Sequence, residues 1–551
     1  MIKTWFSFLV SRKVLSLHRS CYSLLLINSK MESCSLDSNQ NNHLIQIVMK
    51  AFRKILVLFA FVIFVLVSCQ KEQTNTSQTP TDAIQSNSVL GKKLENPYSV
   101  SNMQKAWDNL YGEQNSKETI SASHYYIKFF PRDEDDLSLL HNDTLLELYQ
   151  YPLDYEIFEG STTYQDPETP EGTPTPLYAS VPIVYEIPSV DYEVLEELFI
   201  PEELADNNGK FRYEELLREA YRITNNVYDD GIIKSEWTPS GYVKVYDSNK
   251  GSFVPVSGAK VRARRWFTTH YGITGTNGNF TCDGSFNGQV NYSLAFERYD
   301  FEIRDGWLST ATINGPKKEG TWNLQIYDTE PRFWATIFRA ASHYYFGNIH
   351  SLRRPPQNSF WNTQLKIRAH YENNENYEGY HSPALRFLGL GSAIHIYNPE
   401  RSSCDIYGTT IHELAHASHW NMSSGGDYTY CDDIVAESWA RGVQWELTRM
   451  VYAGYKPVYA RGNYTGVVQD MIDGFGTKGT SRWWDSTNDN WGSPYIYLSY
   501  NDQVTGYSIK QIEDALLGQR TWNGWKDNIK NLYNNETENK LDATFDYWNT
   551  L

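Results

Sequence analysis

His412-Glu413-Leu414-Ala415-His416 constrains this chain more than any other stretch, because it suits one local geometry. On an α-helix the two imidazoles stand one turn apart on the same face and can reach a single metal ion, with the glutamate placed to address a water beside it. The flanking residues fit a helix. Ile411, Leu414, Ala415 and Ser418 make a stripe for the core, while His412, His416 and His419 share another side that points into a cleft. Thr410-Ile411-His412-Glu413 also fits a capping box, in which Glu413 returns to a helix start. That alternative leaves two aligned histidines without a role.

A catalytic zinc takes three protein ligands and keeps one position open, so a third ligand must come from elsewhere. His419 lies two turns beyond His412, roughly 10 Å along the axis, which suits three ligands on one straight helix poorly. Glu437, in Ile434-Val435-Ala436-Glu437-Ser438-Trp439-Ala440, is the better choice. Its neighbours are small or apolar, and a carboxylate buried there is costly unless a metal or an opposite charge compensates it. The alternative is an i to i+4 ion pair with Arg441, and Asp432, Asp433 and Glu446 are substitutes.

With His412, Glu413, His416 and Glu437 the chain resembles the gluzincins, the thermolysin-like clan of zinc peptidases, in which a glutamate on a second helix follows HExxH. The resemblance implies one Zn2+ per chain, held by His412, His416 and Glu437. It also implies that Glu413 takes the proton of the attacking water during hydrolysis of a protein or glycoprotein substrate. Two departures matter. The slots for the glycine and third histidine of metzincins hold His419 and Met422, so that pattern is excluded. Arg441 stands where the thermolysin family has an aspartate, which leaves Asp405, Asp432 or Asp433 to hold the imidazoles. No histidine follows His419, so the oxyanion donor is sought among Tyr495, Tyr497, Tyr500 and Arg482. Gly391 to Tyr397 reads as a strand, either the edge strand on which zincins pair an extended peptide or an ordinary one with His395 facing solvent.

The N-terminal region reads as an address. Residues 49–68 form a signal peptide, with a basic start at Met49-Lys50-Ala51-Phe52-Arg53-Lys54 and an apolar run from Ile55 to Val67 that is short for a membrane span. Leu66-Val67-Ser68-Cys69 resembles the bacterial lipobox, which implies a lipid on Cys69 and a place on the cell envelope, at the outer membrane or cell surface. Residues 1–48 then read as an upstream extension ahead of the true start. Residues 69–95, rich in Ser, Thr, Gln and Asn, read as a disordered tether. The net charge is −17, and residues 1–68 carry eight basic and two acidic residues, so the mature chain is more acidic still. Nucleic acid is therefore excluded as a partner. Cys404 and Cys431 precede the two candidate ligand helices, where either a disulfide or two free thiols fits.

The expected fold class is multidomain. Residues 96–237 read as an α+β domain, with a βαβ-like stretch over Tyr125 to Tyr149 and helices over Tyr192 to Ala205 and Tyr213 to Ile223. Residues 238–327 carry short β-branched and aromatic runs, Gly241 to Asp247, Pro255 to Val261 and Thr274 to Phe280, and resemble the carboxypeptidase regulatory-like, prealbumin-type β-sandwich. Residues 328–551 read as a mainly α, zincin-like catalytic domain, with helices near 332–345, 405–421, 433–453, 464–473 and 508–517. A second function stays open: a surface lipoprotein that binds glycan or protein and keeps a vestigial zinc site, for which 17 Trp and 40 Tyr would suit sugar stacking.

Overall fold

The computed structural model describes residues 89–550 apart from 113–118, 171–172, 201–206, 229–235, 307, 360–363, 376–377, 383–392, 423–425, 456–462, 475–479, 482–495 and 498–501. The signal peptide, Cys69, Arg482, Tyr495 and Tyr500 lie outside the described residues. No described helix is long and apolar enough to cross a membrane.

The first third mixes helices with small antiparallel sheets: β1 (Leu90–Lys93), α1 (Val100–Tyr111), β2 (His124–Phe129), α2 (Glu134–His141), β3 (Tyr155–Ile157), β4 (Leu177–Pro182), β5 (Tyr192–Leu198) and α3 (Asn207–Ile223). Side chains start the helices. Ser99 accepts from the Asn102 amide to cap α1, and Asp133 accepts from Asp136 to cap α2, whose first turn is acidic as the helix dipole favours. Three sequence expectations fail here. Tyr192–Leu198 is a strand and not a helix, because Tyr192, Val194 and Leu198 pair across to β2 and close a sheet ordered β4-β2-β5. That sheet is antiparallel, so the βαβ-like stretch does not form, and Tyr149 makes only an isolated bridge to Tyr178. The tether ends earlier than residue 95, since Leu90–Lys93 pairs with β3.

The next segment is β-rich: β6 (Ser240–Asp247), β7 (Ser252–Pro255), β8 (Lys260–Arg265), β9 (Thr268–Ile273), β10 (Asn279–Thr281), β11 (Val290–Ala295), β12 (Phe301–Asp305), β13 (Ser309–Thr310), β14 (Thr312–Lys318) and β15 (Trp322–Ile326). Two four-stranded sheets result, one built around β6 with β7, β10 and β15, the other ordered β14-β11-β8-β9. Their inner faces meet through Val243, Val245, Val261, Ala263 and Leu294, all fully buried, and through Tyr292 against Trp322 at 5.4 Å.

β12 leaves this arrangement. It runs parallel to β16 (Leu365–Ala369), which runs parallel to β18 (Ile394–Ile396), and β17 (Gly379–His381) pairs antiparallel with β18 at the edge of the sheet β13-β12-β16-β18-β17. The expected boundary at 327/328 is thus crossed by a sheet. One hydrophobic core crosses it too, from Val243 to Trp548. Helix α4 (Thr329–Phe346) lies in that core with Phe333, Trp334 and Phe338 fully buried. After it come α5 (Ser403–Met422), α6 (Gly426–Thr429), α7 (Asp433–Val451), α8 (Val467–Ile472), α9 (Ile509–Leu516), α10 (Trp522–Leu532) and α11 (Leu541–Thr550).

Buried charge ties the first third to the β12 sheet. Arg304 donates through both terminal nitrogens to Glu134 at 2.7 Å each and through Nε to Glu302 at 2.7 Å, while Lys366 Nζ lies 3.1 Å from Glu302. Burial alone would raise the Glu302 carboxyl, but Lys366 and Arg304 hold it far below the usual range. Arg304 is 1 % exposed, so the pair is desolvated. We expect Arg304→Ala, which takes the bidentate partner from Glu134 and leaves Glu302 to Lys366, to cost about 3–5 kcal/mol in denaturant unfolding. An unfolding midpoint equal to that of the unmutated chain would show that the network contributes nothing.

Candidate metal centre

Helix α5 is buried along most of its length, which explains why its histidine face has to be satisfied from within the protein. It starts at Ser403, so Thr410 lies two turns inside, where its hydroxyl donates to the Ile406 carbonyl at 2.8 Å. The capping-box alternative for Glu413 is thereby excluded. Helix α7 packs across α5, and the approach is close at Gly408, where a Cβ would fall 2.4 Å from the Tyr455 hydroxyl and 3.1 Å from Gln444 Nε2. A larger residue there would displace the Tyr455 and Gln444 side chains.

This crossing delivers Glu437 to the histidines. Glu437 Oε2 lies 3.1 Å from His412 Nε2 and 3.3 Å from His416 Nε2, and the two Nε2 atoms are 3.2 Å apart. Two Nε2–H groups could both donate to Glu437 Oε2, but they would then face each other across only 3.2 Å with like polarity. A central cation serves all three. The separations also fit zinc: ligand bonds of about 2.0–2.1 Å in a tetrahedron put donors roughly 3.3–3.4 Å apart, and two imidazoles with one carboxylate are a donor set zinc accepts.

Electrostatics point the same way. Burial pushes His412 down to about 4, so its imidazole is neutral and able to ligate. Burial opposes the charged form of His416 as well, but Glu437 prevails and raises it. Burial would lift Glu437, yet His416 and His412 hold its carboxyl well below the usual range. Glu413, 5 % exposed, is pushed up to about 8 by burial, with His416 opposing the shift and Glu437 adding to it. A dication beside it would favour its ionised form. The alternative pairing of Glu437 with Arg441 does not form: the Arg441 guanidinium donates to Gln444 at 2.7 Å and lies 4.9 Å from the Tyr464 ring centre.

The walls hold residues that spacing did not reveal. Tyr428, on the short α6 between the ligand helices, sits 6.1 Å from the His416 ring and 5.1 Å from the His419 ring. Tyr464 sits 6.1 Å from the His412 ring. Gly379 on β17 faces Glu413 so closely that a Cβ would meet its Cγ and Thr409 Cγ2 at 3.0 Å. With 40 tyrosines in the chain, no sequence signal picks out those two.

Other expected roles change. Ile394–Ile396 is interior, between β16 and β17, with His395 only 5 % exposed, so the edge beside Glu413 is Gly379–His381. Nδ1 of His412, His416 and His419 is buried without a hydrogen-bond partner among the described residues, so none of Asp405, Asp432 and Asp433 holds an imidazole. Asp405 accepts from Ser402 at 2.7 Å, and Asp432 stands at the N-cap of α7. Glu446 pairs with Arg449 and His350. Cys404 and Cys431 are both free thiols, not a disulfide. Tyr497 lies in a two-residue strand, Ile496–Tyr497, paired with Thr480–Ser481. His141, Glu297 and Glu302 also cluster, but Lys260, Arg262, Lys366 and Arg304 already supply cations there.

A zinc ion held by His412, His416 and Glu437 would bind with a predictable pH dependence. The raised His416 favours its protonated form in the metal-free fold, a stabilisation present below its ordinary value of about 6.5 and lost as pH rises through the raised one. Zinc must displace that proton, so affinity should fall steadily on acidification, measured by competition with a chelating dye. Glu437→Ala should weaken binding by about 100-fold or more. A flat affinity between about pH 5 and 8 would remove His416 from the ligand set. No protein-family model, no curated protein and no solved structure matches this chain.

Proposed function

We propose that this chain is a zinc-dependent metallopeptidase of gluzincin type, and an endopeptidase acting on external proteins. The observation that carries this is the meeting of His412 Nε2, His416 Nε2 and Glu437 Oε2 within 3.1–3.3 Å of one another, on two packed helices, with Glu413 buried beside them. Bound there, zinc would supply the Lewis acidity that lowers the pKa of water and polarises a scissile carbonyl.

The remaining steps fall to the chain's own residues. Glu413 takes the proton from the attacking water and passes it to the leaving nitrogen. A basicity raised by burial suits it to hold that proton between the two steps. The hydroxyls of Tyr428 and Tyr464 join Tyr495, Tyr497, Tyr500 and Arg482 as candidate donors to the developing oxyanion. The antiparallel edge strand β17 would orient an extended peptide by backbone pairing, and Gly379 keeps the Glu413 carboxylate uncovered on that side.

The sequence supports the wider setting: a lipid on Cys69 holding the body at the cell envelope, an α+β N-terminal unit and a prealbumin-like sandwich against which the zincin-like part is built. A vestigial binding module has no need of a buried, uncompensated Glu413.

Glu413→Gln separates these. The variant should retain zinc while cleavage of a mixed peptide library falls by about 10²–10⁴-fold. Cleavage at the unmutated rate by Glu413→Gln, or no cleavage by a zinc-loaded unmutated chain, would overturn the proposal.

A further inference from the structure

Helix α8 ends in a second group of possible ligands, unrelated in sequence to the histidine helix. Asp470 lies in its last turn and Asp473 at its C-cap, so i to i+3 spacing puts both on one side. Asp502 comes from the chain that returns to pack against this turn, where the Tyr507 amide donates to the Met471 carbonyl at 3.0 Å and the Thr505 hydroxyl donates to the Asp473 carbonyl. One oxygen from each carboxylate lies within 4.8 Å of the other two.

Clustered acids alone would mean little. Here one of them is buried and incompletely satisfied. Asp502 is 3 % exposed; its Oδ1 accepts from the Val504 amide at 2.9 Å, and its Oδ2 is buried with no hydrogen-bond partner among the described residues. Asp470 is 9 % exposed and spends Oδ2 on the Trp548 indole N–H at 2.7 Å. Among the described residues, neither Asp470 nor Asp502 has a Lys, Arg or His partner. Burial, with the neighbouring Asp502 adding to it, drives the Asp470 carboxyl well above its usual range, and burial lifts Asp502 to about 6. Nothing described supplies the positive charge these groups need.

We propose that Asp470, Asp473 and Asp502 form a second metal site, an all-oxygen site for calcium that braces the end of α8 against residues 502–507. The chemistry selects the ion. Three hard carboxylates with no nitrogen or sulfur donor suit calcium or magnesium over zinc, and Ca–O bonds of about 2.3–2.6 Å give a coordination sphere roughly 4.6–5.2 Å across, which accommodates the observed spread. Magnesium at about 2.0–2.1 Å requires a tighter and more regular cage. Backbone carbonyls and water would complete the shell.

Thermal unfolding of the zinc-loaded full chain tests this. Millimolar calcium should raise the melting temperature by about 3–8 °C, and Asp502→Asn and Asp470→Asn should abolish the shift. Without calcium, Asp502→Asn should be at least as stable as the unmutated chain, because it removes an uncompensated charge. That reversal of order keeps the test informative if one variant folds poorly. Glu437→Ala, which weakens the histidine centre, should keep the full calcium response. No calcium-induced shift, or a shift that survives both Asp variants, would overturn the site. An equal shift with magnesium would overturn the assignment to calcium.

Discussion

The parallel pairing of β12 with β16 is the constraint on which the candidate centre rests. It runs in register from Phe301 opposite Leu365 to Asp305 opposite Ala369. β18 then adds to β16, and β17 adds to β18, so the strand that faces Glu413 is three strands removed from a segment that otherwise builds the sandwich. Parallel strands need a long crossover, and α4 provides it, burying Phe338 and Tyr345 against Phe301. The sandwich is therefore a foundation and not an appendage. Disturbing β12 would loosen the floor under α5 without touching a ligand.

On that floor, the centre solves an electrostatic problem in an unusual order. Two imidazoles and a carboxylate are held close enough to compete for protons, in surroundings that disfavour charge on His412 and Glu413 and favour it on His416 and Glu437. Such a metal-free arrangement is preorganised, since the packing of α7 on α5 holds the three donors within 3.1–3.3 Å of one another. Among the described residues the Nδ1 atoms of His412, His416 and His419 have no hydrogen-bond partner, whereas a metal-ligating histidine usually donates from its other ring nitrogen. Ring packing stands in for that bond: Tyr464 beside His412, and Tyr428 beside His416 and His419.

The sequence was most legible where chemistry and periodicity coincide. His412, Glu413 and His416 announce themselves by spacing, and Glu437 by being a carboxylate among small residues. Helices α4, α5, α7, α8 and α9 follow their apolar periods. What spacing cannot encode is position set by a distant partner. Tyr192–Leu198, rich in glutamate and leucine, has a helical composition, yet β2 recruits it as a strand. Gly379 and Tyr428 matter only because a sheet edge and a helix connection converge on Glu413 and His416. Helices α1, α10 and α11 lack a motif to draw attention to them, although Ser99 and Thr521 cap two of them in the ordinary way. The junction at 327/328 is visible as a change in composition, but composition does not show that a core runs through it.

The last helix carries a consequence for how the molecule comes to exist. Leu541, Phe545 and Trp548 are buried in the same core as the sandwich strands, and Trp522 donates its indole proton to the Phe545 carbonyl at 3.0 Å. A chain emerging from a ribosome delivers these residues long after the strands they cover. Everything from Val243 onward has to wait for them with apolar surface uncovered, so the body built by β6 to α11 closes its core only once α11 has followed.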